Sequence, residues 1–170
     1  MAIHSTDLSP DQIKARIADG ITLDSVVHVN ATRGSISGQN FCYTLGMGLF
    51  GKPDLIIFAR YFDAEQLRAI VQSVEENWHH NGERVGILDD ILTMSSRDGK
   101  GGESIPVEVR EVRKDKVYEE YMQYAKYAYT EEQLKQTRVC QILWPDDKGV
   151  LPTFLAYDDK RFPQLLLDPM

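Results

Sequence analysis

The chain has 170 residues, of which 42% are hydrophobic and 26% are charged. This length suits one globular domain, and this composition excludes a wholly disordered chain. The formal net charge of −7 argues against unaided binding to nucleic acid or to an anionic membrane, because both require clustered Lys and Arg. We therefore expect a single domain spanning residues 1–170.

The amino terminus and the cysteines indicate the compartment. The first residues, MAIHSTDLSP, contain no positive stretch followed by an apolar one, so no signal peptide is predicted. No apolar run approaches the roughly 20 residues that a membrane-spanning helix needs. Cys42 and Cys140 are the only cysteines, and both lie in apolar runs. Such cysteines are typical of reduced thiols in a core, which favours the cytoplasm.

The first predicted helix begins in the segment LSPDQIKARI. Ser9 is in position to cap it, Pro10 takes the first helical position, and Gln12 completes a capping box. Gly20 is expected to end this helix, because glycine readily adopts the left-handed conformation found at helix ends.

A second helix is predicted over residues 63–78. Asp63 and Gln66 form another capping box, and Gly82 marks the end of the helix. Apolar residues recur at helical spacing, so we expect one face of this helix to be buried. They are Leu67, Ile70, Val71, Val74 and Trp78.

Tyrosines dominate a third predicted helix, from Asp115 to Tyr129. They surround the helix and do not form one stripe, so part of the aromatic surface is expected to be exposed. Tyr118 and Tyr127 lie to the side of the apolar stripe. Thr130 and Gln133 then predict a short further helix through a third capping box.

Strand patterns lie between the helices. NFCYTLG alternates between two kinds of side chain, and DLIIFAR is continuously apolar, as expected of a central strand covered on both sides. SIPVEVREV alternates apolar and charged residues, and its Pro106 indicates a strand start or a sheet edge. Further strands are predicted in VVHVN, VCQILW and VLPTFLAY.

The order of these elements favours an α+β domain with a mostly antiparallel sheet and with helices packed on one side. The reason is that the strands occur in pairs between the helices and do not alternate strictly with them. A doubly wound parallel fold is the alternative.

The segment WPDDKG, residues 144–149, has the composition of a turn. Pro145 fixes one backbone dihedral, Asp146 can bond to its own backbone, and Gly149 tolerates a positive φ. We expect a hairpin corner in which Asp146 accepts hydrogen bonds within the turn. Trp144 is expected to be largely buried.

Three short motifs follow one another in a specific order. YTLG at residues 43–46 is followed by KPDL at 52–55, and QILWPDDKGVLP occupies residues 141–152. In this order they resemble the bacterial domain of unknown function 4262 family, over about residues 40–155. Asp54 stands where the family usually has Glu, and Thr153 stands where it usually has an aromatic residue. The resemblance implies the fold and the boundaries but no activity.

No cofactor or metal site is predicted. His79 and His80 are adjacent on a helix, so they point about 100° apart and cannot readily share a metal ion. GMGLFG at residues 46–51 has the spacing of a dinucleotide-binding turn, but a strand pattern follows it where that motif needs a helix. Cys42 is expected to be a small core residue and not a nucleophile.

A non-catalytic binding protein is the favoured function, because the chain is small and acidic and has no coherent catalytic set. One form of it is a cytoplasmic immunity protein that neutralises a basic toxin domain by charge complementarity. The candidate aromatic anchors are Tyr118 and Tyr127. The candidate carboxylates all lie on predicted helix surfaces, and they are Glu75, Glu76, Glu119, Glu120, Glu131 and Glu132. No oligomeric state is predicted.

The alternative is a small enzyme. Its site would form where the segments Tyr43–Gly46 and Gln141–Asp147 meet, with Asp146 as acid or base and with Tyr43 or Trp144 shaping the pocket. A concave cleft that holds a carboxylate of raised pKa would favour the enzyme, and a flat acidic surface would favour the binding protein.

Overall fold

A computed structural model of the protein describes residues 2–4, 8–22, 26–31, 39–95 and 102–170. Within these residues, seven strands form one sheet. The strands are β1 (Ala2–His4), β2 (Val27–Ala31), β3 (Asn40–Leu45), β4 (Asp54–Ala59), β5 (Gly86–Ser95), β6 (Gly102–Val112) and β7 (Val139–Leu143).

The sheet is mostly antiparallel. Its strand order is β1-β2-β3-β4-β7-β6-β5. Four neighbouring pairs run antiparallel, whereas β1 with β2 and β4 with β7 run parallel. The helices occur between groups of strands along the chain, so the α+β class predicted from the sequence is confirmed.

The described residues contain five α-helices and one 3₁₀ helix. They are α1 (Pro10–Thr22), the 3₁₀ helix (Met47–Phe50), α2 (Ala64–Asn81), α3 (Lys114–Glu120), α4 (Ala125–Ala128) and α5 (Glu131–Gln136). Among the helices in this part of the chain, none has the length and the apolar character needed to cross a membrane.

The helices cover both faces of the sheet, which corrects the expectation that they pack on one side. Leu55 and Ile57 of β4 belong to a core that includes α2. Ile56 and Phe58 of the same strand point the other way, into a core that includes α1, α3 and α4. The physical reason is the apolar run Leu55–Ala59 in β4. All six residues of this strand are buried, so both of its faces need cover.

The predicted helix starts are confirmed by their caps. The Ser9 hydroxyl oxygen accepts a hydrogen bond from the Gln12 N–H at 3.3 Å, and the Gln12 side chain accepts one from the Ser9 N–H at 2.9 Å. Asp63 and Gln66 make the same reciprocal pair at the start of α2, and Gly82 follows its last residue. These local signals therefore position α1 and α2 as the sequence predicts.

Two other local predictions are wrong. Gly20 does not end α1, which continues to Thr22, because Gly20 lies on the buried side of the helix. The predicted strand VLPTFLAY consists of turns, in which the Phe154 N–H bonds to the Leu151 carbonyl and the Tyr157 N–H bonds to the Phe154 carbonyl. Packing of Gly20 overrides the helix-end signal, and local turn formation overrides the strand pattern of VLPTFLAY.

The helix predicted from Asp115 to Tyr129 is interrupted between α3 and α4. The N–H groups of Tyr121 and Met122 both bond to the carbonyl of Val117, at 2.9 and 2.8 Å, and this shared acceptor ends α3. Met122 is thereby placed in the core with no exposed surface, and the Tyr121 ring lies 4.9 Å from that of Phe58. Burial of these two side chains takes precedence over helical continuity.

Strand β5 is absent from the sequence-based prediction, and it forms one edge of the sheet. It pairs with β6 through a bulge, because Leu88 is opposite Val107 whereas Leu92 is opposite Ile105. Three residues of β5, numbers 89 to 91, therefore lie opposite the single residue Pro106 of β6. Pro106 lies inside β6 and not at its start, and the bulge removes the need for the N–H that proline lacks.

We predict that Val71→Asp will lower the free energy of unfolding by about 3–5 kcal/mol, because it places an unpaired charge in the core. Val71 has no exposed surface. Ala69→Asp is the matched control, since Ala69 is exposed on the same helix and the change there should cost less than about 1 kcal/mol. Thermal unfolding followed by circular dichroism measures both. A Val71→Asp variant that melts with the wild type would contradict the buried face of α2.

Candidate functional site

A buried carboxylate joins the YTLG and KPDL motifs. Asp54, the first residue of β4, has no exposed surface. Its carboxylate accepts hydrogen bonds from the Thr44 hydroxyl at 2.9 Å, from the Met47 N–H at 3.2 Å and from the Tyr129 hydroxyl. Three donors thus compensate for the loss of water around this group, as a buried polar group requires.

The Tyr129 hydroxyl also fixes the 3₁₀ helix. Its oxygen accepts hydrogen bonds from the N–H groups of Gly46 and Gly48, at 2.8 and 3.1 Å, while its proton goes to Asp54. Gly46 has a φ of 112°, which favours glycine, and a Cβ on Gly48 would lie 2.8 Å from the Thr137 methyl group. The glycines of GMGLFG are therefore explained by a turn and by close packing.

Burial raises the pKa of Asp54 to about 7, although the hydrogen bonds from Tyr129, Thr44 and Met47 oppose that rise. A carboxylate of raised pKa favours an enzyme when it faces a cleft. Asp54 faces none, because the surrounding side chains cover it completely. Its role is to tie the start of β4 to the 3₁₀ helix.

The WPDDKG segment forms the turn predicted from its sequence. Asp146 is buried, and its carboxylate accepts hydrogen bonds from the N–H groups of Lys148 and Val150, each at 2.9 Å, and of Asp158 at 3.1 Å. Burial acts to raise the pKa of Asp146, but the three backbone donors hold it below its usual value. The predicted hydrogen bonding of Asp146 within the turn is confirmed.

Most of Trp144 is covered, in agreement with the prediction, and part of it is exposed. Its ring lies 4.1 Å from that of Phe62, and its indole N–H donates to the carbonyl of Phe58 at 3.3 Å. Trp144 therefore packs the segment after β7 against the segment after β4.

Tyr43 and Trp144 lie apart. Tyr43 is buried in the core that includes α1 and α3, whereas Trp144 packs against the core beneath α2, on the opposite face of the sheet. Gly46 follows β3 at the end where β4 begins, and Trp144 follows β7 at the end where β4 finishes. The structure thus does not bring Tyr43 together with Trp144 and Asp146, as a pocket between their two segments would require.

Four of the predicted interface residues lie on α3 and α4. Glu119 and Glu120 are exposed, as expected. Tyr118 is half-buried, and its hydroxyl lies 2.5 Å from the Thr137 hydroxyl. Tyr127 is half-buried too, and its ring stacks on that of Tyr124 at 5.9 Å. Part of the aromatic surface is therefore exposed, as the sequence predicts.

A surface depression of about 480 Å³ lies between α3 and α5, and we refer to it as the α3–α5 depression. Met122 and Ala125 are buried residues in its lining. Asp115 and Glu119 supply carboxylates, and Lys126 supplies an ammonium group. The depression thus combines apolar surface with charges of which two are negative and one is positive.

A buried histidine contacts a carboxylate of α2 on the other face of the sheet. His28 of β2 is 4% exposed, and its Nε2 lies 2.9 Å from Oε2 of Glu75. Val27 and Val29 belong to the opposite core, so the alternation of β2 directs His28 toward α2. Among the described residues, Nδ1 of His28 has no hydrogen-bond partner. The pair connects β2 to α2 and fixes the Glu75 side chain.

Glu75 lines a cavity of about 520 Å³ between the 3₁₀ helix and the C-terminal half of α2, which we call the α2 cavity. This volume is within the range of roughly 300–1,000 Å³ found for small-molecule sites. Val26, Met47 and Phe50 supply its apolar lining. Its polar lining consists of Lys52, Glu75, Glu76, His79 and His80.

The two cysteines are core residues, as predicted. Burial raises the pKa of Cys42 and of Cys140 to about 12 in each case, so both remain protonated thiols at neutral pH. Within the described ranges, no group of three or more His, Cys, Asp or Glu side chains is arranged to hold a metal ion.

One family covers most of the chain. Its description is "Domain of unknown function (DUF4262)", and it matches residues 24–158. The chain belongs to this family. The match to DUF4262 is wider than the resemblance over residues 40–155 and includes His28 as well as the WPDDKG turn. Comparison with curated proteins and with solved structures gave no match.

The DUF4262 motifs of this chain determine local structure. The α2 cavity could not be predicted from them, because it depends on residues that are distant in the sequence. Thr44 and Asp54 position the 3₁₀ helix, and Asp146 closes the WPDDKG turn. His28 and Glu75 are 47 residues apart, and only the folded sheet brings them together. The sequence signals are the alternation of polar and apolar residues in VVHVN and the spacing of Glu75 and Glu76 one helical turn before His79 and His80.

We predict that Asp54→Asn will change how stability depends on pH. The native pKa of Asp54 is raised to about 7, whereas an unfolded Asp titrates near about 3.9. Between these values the native state holds a proton that the unfolded state has lost. The contribution of this proton to the free energy of unfolding is therefore complete below the pKa of the unfolded state. It is lost as the pH rises to the pKa of the native state, by up to about 1.4 kcal/mol per pH unit.

Urea unfolding of both proteins at about pH 5.5, 7 and 8.5 measures this effect. The wild-type free energy of unfolding minus that of the Asn variant should fall between the first two values and then change little. Parallel curves for the two proteins would show that Asp54 does not titrate in this range.

We predict that Asp146→Ala will lower the free energy of unfolding by about 1–3 kcal/mol, because it leaves three partly buried backbone N–H groups without their acceptor. Asp147→Ala is the matched control. Asp147 is exposed and lies 3.0 Å from Arg161, so its loss should cost less than about 1 kcal/mol. Equal urea midpoints for the two variants would refute the structural role of Asp146.

Proposed function

We propose that this chain is a non-catalytic binding protein that acts in the cytoplasm on a protein partner with a basic surface. The partner class is a toxin domain that the chain neutralises, as an immunity protein does. The observation that carries the proposal is the α3–α5 depression, whose lining combines buried apolar residues with the carboxylates of Asp115 and Glu119.

The glutamates beside this depression are available to a partner, whereas several lysines are occupied. Lys114 donates to three backbone carbonyls at 2.6–2.7 Å. Lys116 and Lys135 lie 3.9 and 3.1 Å from carboxylates. Glu119 and Glu120 are exposed and form no salt bridge with another described residue. Residues 114–136 carry five carboxylates and four lysines, so their net charge is only −1. The negative charge that this surface offers to a partner is therefore local, at the exposed Glu119 and Glu120.

Charge complementarity is the reason for a basic partner. The chain carries a net charge of −7, and proteins that act on nucleic acid present basic surfaces to the phosphates. Opposite charges increase the association rate and disfavour acidic partners. Tyr118, half-buried in the same lining, supplies the aromatic surface that is common at interfaces.

The enzyme alternative has less support from the geometry. Asp54, the carboxylate of raised pKa, has no exposed surface. Asp146 is bound by three backbone N–H groups, and Tyr43 lies on the opposite face of the sheet from Trp144. A non-catalytic role agrees better with these positions.

The test is binding to candidate basic toxin domains, beginning with proteins encoded beside this chain, measured by surface plasmon resonance across a salt series. The association rate of the wild type should fall as salt rises. Changing Glu119→Lys together with Glu120→Lys should lower that rate at least about tenfold at low salt, because the steering charge is reversed.

The matched control is Asp19→Lys together with Glu103→Lys. It makes the same change in net charge at exposed positions on α1 and β6, so it should lower the association rate much less. The proposal that the α3–α5 depression is the binding surface would be overturned by either of two results. One is an association rate that does not depend on salt, and the other is an equal decrease in that rate for the two double variants.

A further inference from the structure

The α2 cavity lies on the opposite face of the sheet from the α3–α5 depression, and the proposed function does not use it. Its volume of about 520 Å³ is large enough for a small organic molecule. Met47 is buried in its lining, whereas Phe50 in the same lining is 55% exposed. A ligand that covered Phe50 would remove this apolar ring from water.

Glu75 supplies a carboxylate that is held in place before any ligand arrives. One oxygen, Oε2, lies 2.9 Å from Nε2 of the buried His28. The Glu75 side chain is 25% exposed, so it is partly open to solvent while its partner is covered. A fixed carboxylate loses little side-chain entropy when it binds a cation, and this favours recognition of a positively charged group.

The lining of the cavity contains two carboxylates and one ammonium group, so the carboxylates outnumber the cation already present. Glu76 adds a second carboxylate. The ammonium group of Lys52 donates to the carbonyl of Trp78 at 3.3 Å, so it is engaged near the end of α2.

The apolar lining indicates that the cation is an organic one. The thioether of Met47 and the ring of Phe50 suit an apolar group, and an aromatic face also attracts a cation. A metal ion would instead need three or more ligating side chains, and the described residues provide no such group.

We propose that the α2 cavity binds a small organic cation, a primary amine joined to an apolar group. The ammonium group pairs with Glu75, which His28 positions, and the apolar group lies against Met47 and Phe50. This site is independent of the protein partner of the proposed function.

The probe is 2-phenylethylamine, compared with phenylacetate and 2-phenylethanol, which have a similar shape but are negative and neutral. Binding is measured by titration in ¹H–¹⁵N NMR spectra at about pH 8, above the range in which histidine ordinarily titrates. The amine should give saturable shifts at the amides of Met47, Phe50 and Glu75. It should bind at least about tenfold more tightly than either comparison compound.

Glu75→Gln should weaken amine binding at least about tenfold, because glutamine keeps a polar contact for His28 but has no charge. Phe50→Ala changes an exposed side chain and should weaken 2-phenylethylamine more than it weakens methylamine. Glu119→Gln with Glu120→Gln is the control on the other face, and it should leave amine binding unchanged.

Equal binding of phenylacetate, undiminished binding to a folded Glu75→Gln protein, or no saturation up to about 20 mM amine would each overturn the proposal. The comparison of the three compounds tests the charge preference on the wild type, so the result does not depend on the folding of a variant. A negative result for amine binding leaves the proposed protein interface untouched. A negative result for partner binding likewise leaves the proposed amine site untouched.

Discussion

Strand β4 must be covered on both of its faces, and the positions of the helices follow from that requirement. All six of its residues are buried, so the chain supplies α2 on one side and α1, α3 and α4 on the other. The strand also begins with a charged residue, Asp54, in a place that water does not reach. The donors from Thr44, Met47 and Tyr129 are therefore a condition of burying this strand, and they position the 3₁₀ helix as a consequence.

Helix starts, which are set by neighbouring residues, were predictable, whereas features set by the core were not. The capping boxes at Ser9, Asp63 and Thr130 depend on residues three positions apart, and all three are present in the structure. The break after α3 depends instead on the burial of Met122 in a core whose other members are distant in the sequence. A helical pattern contains no information about such a partner.

The same distinction applies to the two surfaces proposed for binding. The exposure of Glu119 follows from its place on a helix, and the sequence predicts it. The α2 cavity requires β2 to lie beside β3 and beneath α2, so that His28 meets Glu75. The opposite faces of the sheet carry the two surfaces, and the apolar residues of β4 separate them. A ligand on one face therefore has no direct contact with a partner on the other.

The bulge in β5 has a consequence for the behaviour of the protein at high concentration. A regular edge strand is a template on which another chain can add a strand, and repeated addition leads to amyloid. In β5 the regular spacing of N–H and carbonyl groups is interrupted opposite Pro106, where the exposed Asp89 and Asp90 also place negative charge. At the other edge, β1 spans three of the described residues, Ala2–His4. Neither described border is therefore a good template for fibril growth or for the addition of a strand from another chain.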